Sequence, residues 1–174
     1  MPPLRSLSRS VRSIRSGRTI SRNFQTVAEI EFGDEILFHG RSIVEHDTGS
    51  NDPFRMIVFS NNRLVNFARS ATVFSADGTF KVCPRVYNSN NTNGQLWTIH
   101  AFRNGIQIPV FYILMKKRLV INYRVAIEAT LIRNNIIPQK FMLDLETAPK
   151  TAIEEKFPGC EVSGCFYHFQ GVIY

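Results

Sequence analysis

Two aspartates stand where apolar strand patterns give way to polar residues. Asp77 lies in TVFSADGTFKV behind Val73 and Phe74, and Asp144 lies in FMLDLE behind Phe141, Met142 and Leu143. A carboxylate at such a place is costly to bury unless it is paired or bound to a cation. Two of them at the exits of neighbouring strands repel each other unless a divalent ion sits between them. Magnesium suits that arrangement, because it accepts one or two carboxylates, keeps several waters and bridges to phosphate oxygens. Ions held in this way activate an attacking oxygen and steady the leaving oxygen of a phosphodiester. A plainer reading stands beside this one. Asp-Gly between alternating residues is a strong hairpin-turn signal, which would make Asp77 a turn residue. Asp144 could simply close a strand or cap the helix that follows.

A second group of metal-competent residues follows. Cys160, Cys165 and His168 form a C-x4-C-x2-H pattern. Structural zinc takes four ligands, and no fourth stands out, so the ordinary reading is packed cysteines and a hydrogen-bonded histidine. His100, in WTIHAF, reads as a core residue or one that supports a site from behind. His39 and His46 lie among acids, and no second element repeats that pattern, so both read as surface residues.

The elements that must position the two aspartates begin after Pro53. FRMIVFS predicts a buried strand, and NNRLVNFARS a short helix capped by Asn61 or Asn62. TVFSADGTFKV is strand material, YNSNNTNG a loop, and QLWTIHAF and IPVFYILMK two further strands. The second of these is apolar on both faces and so predicted to lie inside the sheet. NYRVAIEATLIRNN predicts a helix and QKFMLDLE a buried strand. TAPKTAIEEKF predicts another helix, with Thr147 as cap and Pro149 in its first turn. CEVSGCFYHF is the last strand. Three strands, helix, strand, helix, strand describe an α/β domain with a mixed sheet and flanking helices.

At 174 residues, 44% of them hydrophobic, the chain suits one globular domain. No apolar run approaches the roughly 20 residues of a bilayer span. The net charge of +7 is unevenly placed. Residues 1–23 carry six arginines (Arg5, Arg9, Arg12, Arg15, Arg18, Arg22) and no acid; the 15 bases left of 21 meet 14 acids. Leu4, Leu7, Val11 and Ile14 recur at helical spacing with arginines opposite. This arm reads as a solvated tail, as a nucleic-acid-contacting segment through arginines such as Arg5, Arg9, Arg12 and Arg15, or as a presequence. The expected organisation is a basic arm over 1–23, a linker or accessory segment over 24–53 and an α/β domain over 54–174. The turn-rich EHDTGSNDP marks the boundary. Three cysteines without an apolar signal segment favour an intracellular setting over a secreted one.

FSADGTFKVCPRVY, QLWTIHAF, IPVFYILMKK with NYRVAIEATL, and FMLDLETAPKTAIEEKFPGCEVSGCFYHFQ resemble, in that order, the transposase domain of Mutator-like elements over roughly residues 54–174. The resemblance implies an RNase H-like fold and a metal-dependent acid triad that cuts DNA strands and joins them to a target. It matches Asp77 to the first catalytic aspartate, Asp144 to the second, and Cys165 and His168 to the family's C-x-x-H motif. It implies Mg²⁺ or Mn²⁺ as cofactor, DNA as partner with no small-molecule substrate, and a nuclear location. On this alignment Asp77 is a strand-borne ligand and Gly78 leaves room for metal and substrate. The family's third acid, a glutamate on a helix beyond the C-x-x-H strand, would fall past Tyr174, and no acid follows Glu161. The expectation is therefore an RNase H-like sheet incomplete at its C-terminal side, with impaired catalysis. The alternatives are a domesticated nucleic-acid-binding protein without chemistry, or a relic. Oligomeric state and target sequence are not encoded in these patterns.

Overall fold

A computed structural model describes residues 26–32, 37–87 and 94–164. In chain order the elements are β1 (Leu37–Phe38), β2 (Arg41–Ser42), β3 (Val44–Asp47), β4 (Ile57–Phe59), helix α1 (Asn62–Arg69), β5 (Val73–Thr79), β6 (Gln95–Arg103), β7 (Ile106–Met115), helix α2 (Val120–Ile127), β8 (Lys140–Leu143), helix α3 (Thr147–Lys156) and β9 (Glu161–Gly164). A seven-stranded sheet runs β3-β4-β7-β6-β5-β8-β9, and β1 and β2 form a separate hairpin. β5, β6 and β7 are joined antiparallel, whereas β8 lies parallel to β5 and β9 parallel to β8. This is the mixed sheet with flanking helices expected of an RNase H-like α/β domain.

The alternation of side chains along the strands explains why the sheet stands where it does. On one face Phe74, Ala76, Trp97, Ile99, Phe111, Ile113, Phe141 and Leu143 are buried with Val65 and Ala68 of α1, Tyr123, Ala126 and Ile127 of α2, and Ala152 and Ile153 of α3. Phe74 stacks on Phe141 across the β5–β8 pair at 6.1 Å between ring centres. A smaller cluster, Val27, Ile57, Cys83, Val86 and Tyr87, packs elsewhere with Val44, Phe59 and Leu114 at its margin.

Local signals account for the helix ends. Asn61 caps α1, its side-chain oxygen accepting from the N–H groups of Arg63 at 3.0 Å and Leu64 at 3.2 Å. In α3 the cap position is Glu146, not Thr147, which is already helical. The helix starts one residue early because Pro149 is tolerated anywhere in the first turn, where N–H groups have no intrahelical partner. After α2 the chain widens into a π turn over Glu128–Ile132.

The segment expected as a linker or accessory segment supplies a strand: Val44–Asp47, within EHDTGSNDP and the residue before it, forms an edge strand against β4. One apolar residue followed by three polar ones gives no strand period, and the contact that holds the strand's end is ionic. Arg55, 5% exposed, donates from Nε to Asp47 Oδ1 at 2.8 Å and from a terminal nitrogen to Oδ2 at 2.5 Å. Its other terminal nitrogen donates to the carbonyls of Val27 at 2.8 Å and Ile30 at 2.9 Å. One guanidinium thus fastens residues 27–30 and β3 to the body of the sheet.

The Arg55 hydrogen bonds hold the Asp47 carboxyl below the usual carboxylate range, outweighing burial. A carboxylate so depressed contributes stability that is fully present above its unfolded value near about 3.9 and is lost as pH falls through its folded value. Asp47→Asn is expected to cost about 1–3 kcal/mol at pH 7, with the gap to wild type narrowing below about pH 4. Urea unfolding at several pH values measures this. A gap independent of pH would mean that the carboxylate charge is not what Arg55 requires.

Candidate active site

Asp77 sits inside β5, paired with Thr98 across the β5–β6 ladder, and not at a hairpin tip. The β5–β8 ladder aligns Val73 with Lys140, Phe74 with Phe141 and Ser75 with Met142. Continued by two residues, that register sets Asp77 level with Asp144, which directly follows β8. Residues in register on parallel neighbours share a face, about 4.8 Å apart along the hydrogen-bonding direction. The face is the one opposite Phe74 and Phe141. It also carries Ser75, Thr98 and His100, the last opposite Ser75. Asp77 is exposed and Asp144 half-buried.

His100 lies close enough to Asp77 to feel its charge. Burial lowers the imidazole's pKa, and the Asp77 carboxylate partly opposes that. Beside Asp144 a cleft of about 320 Å³ opens at the ends of β8 and β9, lined by Leu143, Asp144, Glu146, Lys150, Val162 and Gly164 among others.

Gly78 does not make room for a metal or substrate. Strand alternation turns it to the face opposite Asp77, and a Cβ there would lie 2.1 Å from Gln95 Oε1. The glycine accommodates a buried glutamine amide. That amide begins a polar chain which no motif in the sequence reveals. Gln95 Nε2 donates to the Tyr123 hydroxyl at 2.7 Å, and the hydroxyl donates to Glu146 Oε2 at 2.8 Å. Glu146 Oε1 pairs with Arg118. The Glu146 N–H donates to Asp144 Oδ1 at 3.1 Å, closing an Asx turn over the second aspartate. Burial first, and then the adjacent Glu146 carboxylate, keep the Tyr123 hydroxyl protonated well beyond the ordinary phenol range. The only clue in the sequence is an acid two residues after Asp144; Gln95 and Tyr123 are unremarkable in a strand and a helix.

Tyr123→Phe leaves buried Gln95 and half-buried Glu146 each short of one partner. It is expected to cost about 1–3 kcal/mol, read from the urea midpoint at unchanged slope. A loss within about 0.5 kcal/mol, the scatter of unrelated surface changes, would mean that the polar chain adds nothing to stability.

The remaining candidates are placed as follows. Cys160 is half-buried with its thiol pushed up by burial, and burial pushes buried Cys83 up to about 11, so neither favours the thiolate that binds metal. Cys165 and His168 lie outside the described residues, as do Arg5, Arg9, Arg12 and Arg15. His39 is exposed in the turn between β1 and β2, and His46 Nδ1 lies 3.3 Å from Arg133. Among the described residues no three or more His, Cys, Asp or Glu side chains form a metal cluster, and no helix is long and apolar enough to cross a membrane.

The donor set nonetheless suits a hard cation. Two carboxylates, one exposed on β5 and one half-buried just past β8, are the donor type taken by an ion that needs few protein ligands and keeps its waters. Residues 73–171 match the sequence model of the MULE transposase domain. None of the curated proteins matches this chain, and no solved structure does.

Proposed function

Because this chain belongs to the MULE transposase domain family, we propose that Asp77 and Asp144 are ligands to Mg²⁺ or Mn²⁺ at a site for cutting and transferring DNA strands. The observation that supports the reading is the β5–β8 register through Ser75 and Met142, which, carried on by two residues, would set Asp77 beside Asp144. Such an ion, when bound, supplies Lewis-acid stabilisation of charge on phosphate oxygens and lowers the pKa of a coordinated water.

The chain's own residues do the rest. Gln95, Tyr123 and Glu146 hold the turn that presents Asp144. Thr98 and His100 flank Asp77 on the open face. Ion binding is the direct readout of these two ligands. Titration with Mn²⁺, followed by the loss of its free-ion paramagnetic signal, tests the assignment. Saturable binding by wild type, lost in Asp77→Asn and Asp144→Asn, supports it, and equal binding by all three rejects it.

A second reading, DNA binding without chemistry, draws on the six arginines and absence of acids over residues 1–23. Its mark is affinity that falls steeply with salt and is lost on deleting those residues.

A further inference from the structure

The strand directions gather three loops at one end of the sheet. β5 ends at Thr79 and β7 at Met115, while β6 begins at Gln95; Thr79 pairs with Leu96, and Gln95 with Met115. β8, parallel to β5, ends at the same side, where Asp144 follows. The segments after β5, β7 and β8 therefore share the end of the sheet that carries the two aspartates. Arg118 ties them together, pairing with Glu146 and lying 4.9 Å above the centre of the Phe80 ring.

These loops are basic. Lys81 and Arg85 follow β5 and are exposed; Lys116 and Lys117 follow β7 and are half-buried. None of the four is ion-paired with a described residue. Elsewhere on the surface, Arg124, Lys140 and Lys156 each face a glutamate, while Arg41, Arg63, Arg69, Arg103 and Arg133 have no ion pair among the described residues. What sets the four apart is therefore their place on the loops at this end of the sheet. The charge of the body is near balance, yet four cations with no acid partner among the described residues lie on the segments at the end of the sheet where Asp77 and Asp144 are found. A phosphate backbone approaching those carboxylates would be repelled unless flanking cations offset them.

We propose that Lys81, Arg85, Lys116 and Lys117 form a phosphate-binding rim that seats a DNA duplex backbone across the Asp77–Asp144 end of the sheet, independently of the arginine arm. The inference rests on the reading of the chain as acting on DNA, but not on the ion. Arg118 is a positioning residue here: its charge is taken by Glu146, and it holds the two basic loops beside the Asp144 turn.

The test is fluorescence anisotropy of a labelled 20-base-pair duplex with the full chain in EDTA, over a range of salt concentrations. Each double charge reversal, Lys81→Glu with Arg85→Glu or Lys116→Glu with Lys117→Glu, is expected to weaken binding at least about tenfold. It should also flatten the slope of log K against log salt by about 2, near one per lost phosphate contact. Circular dichroism of the variants, whose changed side chains lie outside the core, checks that the fold is kept. Unchanged affinity and slope in both variants, with all binding lost on deleting residues 1–23, would overturn the proposal in favour of the arm. Wild type that binds no duplex at low salt would overturn it as well. EDTA keeps the ion out of this measurement, so the Mn²⁺ titration can fail while the rim stands, and the reverse.

Discussion

Asparagine at position 144 is expected to abolish the response to Mn²⁺ while the ion-free protein stays folded. Asparagine is nearly isosteric and its oxygen still accepts the Glu146 N–H that bonds Asp144 Oδ1, so the turn survives. What the variant lacks is a charged ligand for the ion. A lost direct ligand should cost more than the about 10–100-fold that loss of an outer-shell partner costs. At a concentration 100 times its dissociation constant, an ion stabilises wild type by about 2.7 kcal/mol through binding the folded state alone. Thermal unfolding with EDTA and with excess Mn²⁺ reads both parts of this result at once. Wild type should rise with Mn²⁺ and Asp144→Asn should not. A variant that is destabilised without the ion and still responds to it would mean that Asp144 is structural.

Much of this site is legible in the amino-acid sequence alone. The apolar run ahead of Asp144 and the alternation through Phe74, Ala76 and Gly78 announce two strands, while their being neighbours comes only from the RNase H-like fold that the resemblance implies. Local rules could not decide whether Asp77 turns a hairpin. The hairpin signal depends on two residues, and the strand depends on pairing with residues 96–102 far along the chain. Tertiary pairing won. The same limit hid β3, whose Asp47 is held by a guanidinium eight positions further on. It also hid the Gln95–Tyr123–Glu146 chain, whose members are spread over a strand, a helix and a turn. Apolar period is readable locally, whereas a buried polar network has no period. Gly78 illustrates the gap well. Asp-Gly suggested either a turn or space for a substrate, and the neighbour that requires the glycine is seventeen residues on, across the β5–β6 pair.

Gly78→Ala is accordingly expected to destabilise the fold through Gln95 and not through the backbone. Gly78 is absent from the positive-φ glycines among the described residues, which are Gly40, Gly49 and Gly105, so an alanine there meets no forbidden dihedral. What it meets is the Gln95 amide oxygen, 2.1 Å from the new methyl position. Gln95 is 1% exposed and held by Tyr123 at 2.7 Å and by Met115 Sδ at 3.2 Å. It cannot yield without leaving its own amide, and one face of Tyr123, unsatisfied in the core. Overpacking costs about 1–3 kcal/mol and a stranded buried polar group about 1–3 kcal/mol, so a loss of about 2–4 kcal/mol is expected from urea unfolding. Gln95→Ala removes the obstacle. In that background the alanine at 78 should cost far less, giving a coupling energy above about 1 kcal/mol, as for residues in contact. Were the two losses simply to add, the glycine would owe its place to the strand itself or to the open face beside Asp77, and the polar chain would have no claim on it.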